Sequence, residues 1–157
     1  MRLARLIIPA FVFLLAGCAA LDVPELTPLE IQSMQTREYE EGKDIVFPSM
    51  ISVFQDLGYI VKSADKDSGL ITAESAARTD EATKALFGYS DVSQTSATAF
   101  VEQIGKMTRL RLNFVTSSNK SYQNGQTDRQ DTPILDAAIY SNAFERIENA
   151  IFVRSAN

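Results

Sequence analysis

A chain of 157 residues with 22% charged and 9% aromatic side chains has room for one globular domain plus a leader, and is not the composition of a disordered polymer. The formal net charge is −5 and no Lys/Arg cluster stands out, which argues against nucleic acid as a partner, because neutralising phosphates takes grouped cations. The sequence has no His and one Cys, so Ser-His-Asp and Cys-His catalysis, most zinc sites and an internal disulfide are excluded.

The chain begins MRLARLIIPAFVFLLAG, with Arg2 and Arg5 ahead of an apolar run over residues 6–16. A basic start, a short greasy segment and small residues at its end make a secretory signal, too short for a membrane span of about 20 residues. The segment closes on Leu15-Ala16-Gly17-Cys18, which resembles the bacterial lipobox. That resemblance implies cleavage between Gly17 and Cys18 and acylation of Cys18. With each buried CH₂ contributing about 0.8 kcal/mol, two or more acyl chains would hold the protein on a membrane. Ala19, rather than Asp, follows the Cys. By its similarity to enteric sorting signals, this implies the outer membrane, with the protein facing the periplasm. Residues 1–17 are therefore expected to be a signal peptide, residues 18–33 a lipidated Cys and tether stiffened by Pro24 and Pro28, and residues 34–157 a single domain.

Residues 34–41 have room for a first strand. A helix follows in which Val46, Met50, Val53, Phe54 and Leu57 recur at three and four, with Asp44 or a neighbour as cap and Gly58 as stop. Pro48 belongs in a first turn, so regular helix is expected from about Phe47. Residues 59–64 and 70–74 read as the arms of a hairpin, with Gly69 supplying a positive φ in the turn. Residues 79–87 suit a short helix ending at Gly88. Thr108, Leu110, Leu112, Phe114 and Thr116 then alternate with Met107, Arg109, Arg111, Asn113 and Val115, which predicts a strand with one dry face. Its partner, residues 97–104, lies across a break at Gly105-Lys106. Residues 119–131 read as a polar loop, with Thr132 as N-cap and Pro133 as first residue of a last helix. Ala137, Tyr140, Phe144, Ile147 and Ile151 form that helix's apolar stripe. The order β-α-β-β-β-β-α predicts an α+β two-layer sandwich, an antiparallel sheet with two long helices on one face.

The stretch FQDLGYIVKSADKDSGLITAES, in which a helix ends in Leu57-Gly58-Tyr59 and a hairpin continues into Gly69-Leu70-Ile71-Thr72-Ala73, resembles the repeated domain of the BamC (NlpB) outer-membrane lipoproteins. The resemblance spans residues 36–152. It implies a helix-grip-like fold and a non-enzymatic, accessory role in the envelope, such as outer-membrane protein assembly. BamC carries two such domains and this chain has room for one, so no binding residues are carried over.

Arg109, Arg111 and Asn113 share the wetter strand face. They would suit an acidic partner, a lipid head group or glycan, or else simply pair across strands with acids such as Glu102. Asp65, Asp67 and Glu74 do not make a calcium loop, because the sixth and twelfth residues counted from Asp65 are Leu70 and Ala76 rather than Gly and Glu. Glu40-Glu41 and Asp80-Glu81 are adjacent acids, not carboxylates held across a cleft. Leu86, Phe87 and Tyr89 would form an apolar partner patch if exposed, or a loop's own small core if packed. No cofactor, metal or catalytic residue is expected. Two functions remain: an anchored module that binds another envelope protein through the open sheet face or residues 78–94, and carriage of lipid or a small hydrophobic ligand in a helix–sheet groove. A cavity lined by Phe54, Leu57, Leu110, Leu112 and Phe144 would mark the second.

Overall fold

The alternating runs close into one antiparallel sheet with helices on one face. The structure, a computed structural model, describes residues 26–80, 85 and 88–156. The leader, Gly17, Cys18, Leu86, Phe87 and most of the short helix expected at 79–87 lie outside the described residues. In chain order the elements are α1 (Pro28–Gln35), β1 (Thr36–Tyr39), α2 (Lys43–Asp56), β2 (Ile60–Asp65), β3 (Leu70–Glu74), β4 (Arg78–Thr79), β5 (Tyr89–Ile104), β6 (Met107–Tyr122), β7 (Thr127–Pro133) and α3 (Ala137–Ser155).

The β5–β6 hairpin is the frame. A two-residue link, Gly105-Lys106, joins Ile104 to its register partner Met107, and the pairing runs unbroken to Tyr89 opposite Tyr122. Gly105 has φ 61°, which suits the first central position of a type II′ turn, where an L side chain would be strained. Each long strand changes partner halfway. β5 pairs β3 near the turn and β4 beyond it, while β6 pairs β1 and then β7. The half nearer the turn, ordered β1-β6-β5-β3-β2, carries the two long helices. Ile71, Ala97, Ala99, Val101, Leu110, Leu112 and Phe114 point to one face and cluster with Val46, Met50, Phe54, Tyr140, Phe144 and Ile147 of the helices. Full burial of each large side chain there contributes about 1.5–3 kcal/mol. The chain is thus an α+β sandwich, as its periodicities imply.

Several boundaries differ from the sequence reading. Residues 28–33 of the expected tether are helical: Thr27 and Glu30 form a capping box, Thr27 N–H donating to Glu30 Oε2 at 2.8 Å and Glu30 N–H to Thr27 Oγ1 at 3.3 Å, with Pro28 as the first helical residue. The first strand shrinks to Thr36–Tyr39. Helix α2 starts at Lys43 with Gly42, not Asp44, as its cap, so Pro48 sits inside the helix; lacking an N–H, it leaves the Asp44 carbonyl without its helical donor. Residues 119–131 are not a loop but the end of β6, a short turn and most of β7, and Thr132 and Pro133 end that strand. Helix α3 is capped instead by Asp136, whose carboxylate accepts from Ala138 N–H at 2.8 Å, and Ala137 is exposed rather than part of the buried stripe. Thr79, expected to open a helix, instead pairs with Val92 of β5 as strand.

Candidate functional site

The helix-free face of the sheet carries Thr98, Phe100 and Glu102 on β5 and, directly across, Asn113, Arg111 and Arg109 on β6. The three residues read from the sequence as a strand face are thus brought together, but their chemistry divides. Arg109 is held by acids on both sides: Glu38 of β1 at 2.9 Å and Glu102 at 3.5 Å. Such exposed pairs contribute up to about 1 kcal/mol each. Arg111 has no acid within ion-pair distance among the described residues; its guanidinium donates to Gln35 Oε1 at 3.3 Å.

Gln35 belongs to a buried network that fixes this face. Between the last residue paired with β1, Arg111, and the first paired with β7, Val115, the edge of β6 has no strand beside it. The Tyr140 hydroxyl of α3 fills the gap. It accepts from Phe114 N–H at 3.3 Å and from Gln35 Nε2 at 3.3 Å, and donates to the Ile134 carbonyl at 3.0 Å, while Ile134 N–H donates to the Phe114 carbonyl at 2.9 Å. The β6 edge therefore leaves no orphaned backbone group at Phe114, as burial demands. The same contacts hold α1 and the segment after β7 on either side of the open face.

Between these flanks lies a groove of about 470 Å³. Ile31 of α1, Pro133 at the end of β7 and Leu135 just after it form its walls, and Phe100, Arg111 and Asn113 its floor. Phe100 is 40% and Leu135 39% exposed, so two large apolar groups face solvent beside a guanidinium. Among the described residues, no carboxylate lines the groove.

Other concavities are also superficial. One of about 710 Å³ lies between α2 and α3, lined by Ser52, Asp56, Arg146, Asn149 and Arg154. Another of about 420 Å³, lined by Leu57, Tyr59, Phe114, Ile139 and Asn142, opens where the helices stop short of the extended hairpin. By contrast, Phe54, Leu110 and Leu112 are 0% exposed and Phe144 2%, and none of them lines these cavities. The helix–sheet interior is close-packed at those side chains.

Tyr89 lies on β5, its ring 5.3 Å from that of Tyr122 at the far end of the hairpin, rather than in a connecting loop. Asp65 caps its own hairpin turn, accepting from Asp67 N–H at 3.0 Å. Among the described residues no group of three or more Asp, Glu, Cys or His could hold a metal ion, and no helix is long and apolar enough to cross a membrane. Sequence reasoning missed Phe100, Gln35, Ile31 and Leu135. Phe100 alone among them had a local signal, as a bulky apolar residue on the more polar side of β5.

No protein-family model matches the sequence, and no curated protein matches it. Among solved structures, the chain is similar to a DUF4468 family protein from Bacteroides ovatus, at 9% identity and a TM-score of 0.39, with 82% of this chain and 89% of that one covered. A likeness at that level carries nothing about function.

Proposed function

We propose that the chain is a lipid-anchored, non-enzymatic interaction module on the periplasmic face of the bacterial outer membrane, which binds another envelope protein through its helix-free sheet face. The leader ending in Gly17-Cys18 supports the anchor, and the similarity to BamC supports an accessory role in outer-membrane protein assembly. The observation that carries the contact is the groove at Arg111, where Phe100 and Leu135 are exposed beside the guanidinium. A photo-crosslinking residue placed at Phe100 of the full chain tests this in the native envelope. Reproducible adducts with one protein are expected, and adducts with lipid alone would refute it. For the anchor, Cys18→Ala should shift the protein out of the outer-membrane fraction.

A second reading, carriage of a small hydrophobic ligand, draws on the cleft of about 420 Å³ beside Leu57 and Tyr59. The close packing of Phe54, Leu110, Leu112 and Phe144 weighs against it, since none of those side chains lines any of the concavities described above. A crosslinker at Ile139 that captured lipid would favour this reading.

A further inference from the structure

We infer that the groove on the helix-free face takes a peptide segment in which a carboxylate side chain is flanked by apolar residues, with Arg111 receiving the carboxylate. The inference rests on the interaction-module reading and names the chemistry of the partner.

Two guanidiniums two residues apart on one strand differ in what surrounds them. Arg109 is neutralised on both sides by Glu38 and Glu102. Arg111 faces Phe100 in register, where a cross-strand acid would otherwise stand, and its Thr36 partner on β1 is also uncharged. The fold therefore satisfies one cation and leaves the other available, in a trench whose remaining polar groups are the neutral Gln35, Thr98 and Asn113. A guanidinium presents a planar fork of donors that matches a carboxylate bidentately. Here one arm is already oriented by Gln35, which is itself bonded to the buried Tyr140 hydroxyl, so little freedom is lost on binding. The exposed rings and methyl groups of Phe100 and Leu135 on either side of Arg111 would take the apolar neighbours of the acid.

The groove suits an extended peptide: Arg111 stands exposed on its floor between α1 and the 133–135 segment, with Phe100 and Leu135 beside it. The net charge of −5 further disfavours a general attraction to anionic surfaces, so recognition depends on this local match.

The test uses the full chain in detergent and two fluorescent peptides, Ser-Leu-Glu-Val-Leu-Ser and its Gln counterpart, read by anisotropy. The Glu peptide should bind about fivefold more tightly than the Gln peptide, the upper range for a partly exposed ion pair. Arg111→Gln should abolish that preference and Arg111→Lys retain part of it. Arg109→Gln should leave it intact and serves as the control for a general charge or folding effect. Equal binding of the two peptides, or equal loss of preference in the Arg109 and Arg111 variants, would overturn the assignment. Crosslinks from Phe100 that still capture one protein when the peptides fail would remove this inference while leaving the interaction module standing.

Discussion

The Tyr140 hydroxyl lies 3.3 Å from the Phe114 amide nitrogen and accepts its proton, so a helix side chain stands in for a strand at the one gap along the β6 edge between β1 and β7. Tyr140→Phe keeps the ring, which packs edge-on against Phe114 with centroids 5.3 Å apart, and removes only the oxygen. Phe114 N–H, the Ile134 carbonyl and the Gln35 amide each lose a partner. The expected cost is about 1–3 kcal/mol, read as a lower urea midpoint at unchanged slope. A change within error would mean that the network contributes nothing to stability.

The same substitution at Tyr39 should go the other way. Tyr39 is 8% exposed and its hydroxyl has no hydrogen-bond partner among the described residues. Tyr39→Phe should leave stability unchanged or raise it by up to about 1 kcal/mol.

Tyr39 also predicts an alkaline dependence. Burial above all, then Glu148 and Glu41, raises its pKa above the ordinary 10, against an opposing effect of Arg37. The folded state keeps the neutral phenol where the unfolded chain ionises. That contribution is therefore complete below pH 10 and is lost as pH climbs beyond it. Urea midpoints measured above pH 10 should fall less steeply in Tyr39→Phe, with a residual slope from Tyr59, whose pKa burial also raises.

Two glycines with nearly equal φ should respond unequally to alanine. Gly125 (φ 82°) has open space where a Cβ would stand, so Gly125→Ala should cost only the left-handed backbone strain, about 1–2 kcal/mol. At Gly69 (φ 81°) the added Cβ would run into the Val101 carbonyl oxygen, and Gly69 itself accepts from Val101 N–H at 2.9 Å. Gly69→Ala should lower the thermal midpoint at least twice as far as Gly125→Ala.

In acid, α1 should loosen first at its cap. Backbone and then side-chain hydrogen bonds from Thr27 hold the Glu30 carboxyl below its ordinary 4.5. The cap is intact above that value and is lost as pH falls through the lowered one. Hydrogen exchange in residues 27–31 should accelerate in that range, and Glu30→Gln should remove the dependence.

What could be read from the sequence tracks what is covered. Residues 97–104 and 107–116 announced themselves because helices bury one face, which forces Leu110, Leu112 and Phe114 to alternate with Arg109, Arg111 and Asn113. The outer halves of the same strands, with Ser93 and Asn119, have no helix over them, so nothing imposes a pattern and they read as loop. Helix α1 buries little but Gln35, and Pro28, read together with Pro24 as stiffening a tether, concealed a capping box at Thr27 and Glu30. Arg111 was legible as a strand-face residue. Its groove was not, because Ile31 and Leu135 reach it from segments far away along the chain.

The Gly105-Lys106 link acts as the origin from which the whole molecule is counted. Strands β1, β3, β4 and β7 each register on β5 or β6, and β2 only through β3. A slip of one residue at this turn would exchange Leu110, Leu112 and Phe114 for Arg109, Arg111 and Asn113 at the helix interface, turning the groove inward and the core outward. A local hairpin closes in about 1–10 μs, well before distant segments can be recruited. The frame of reference for recognition would thus be laid down early, by two residues that lie outside the core.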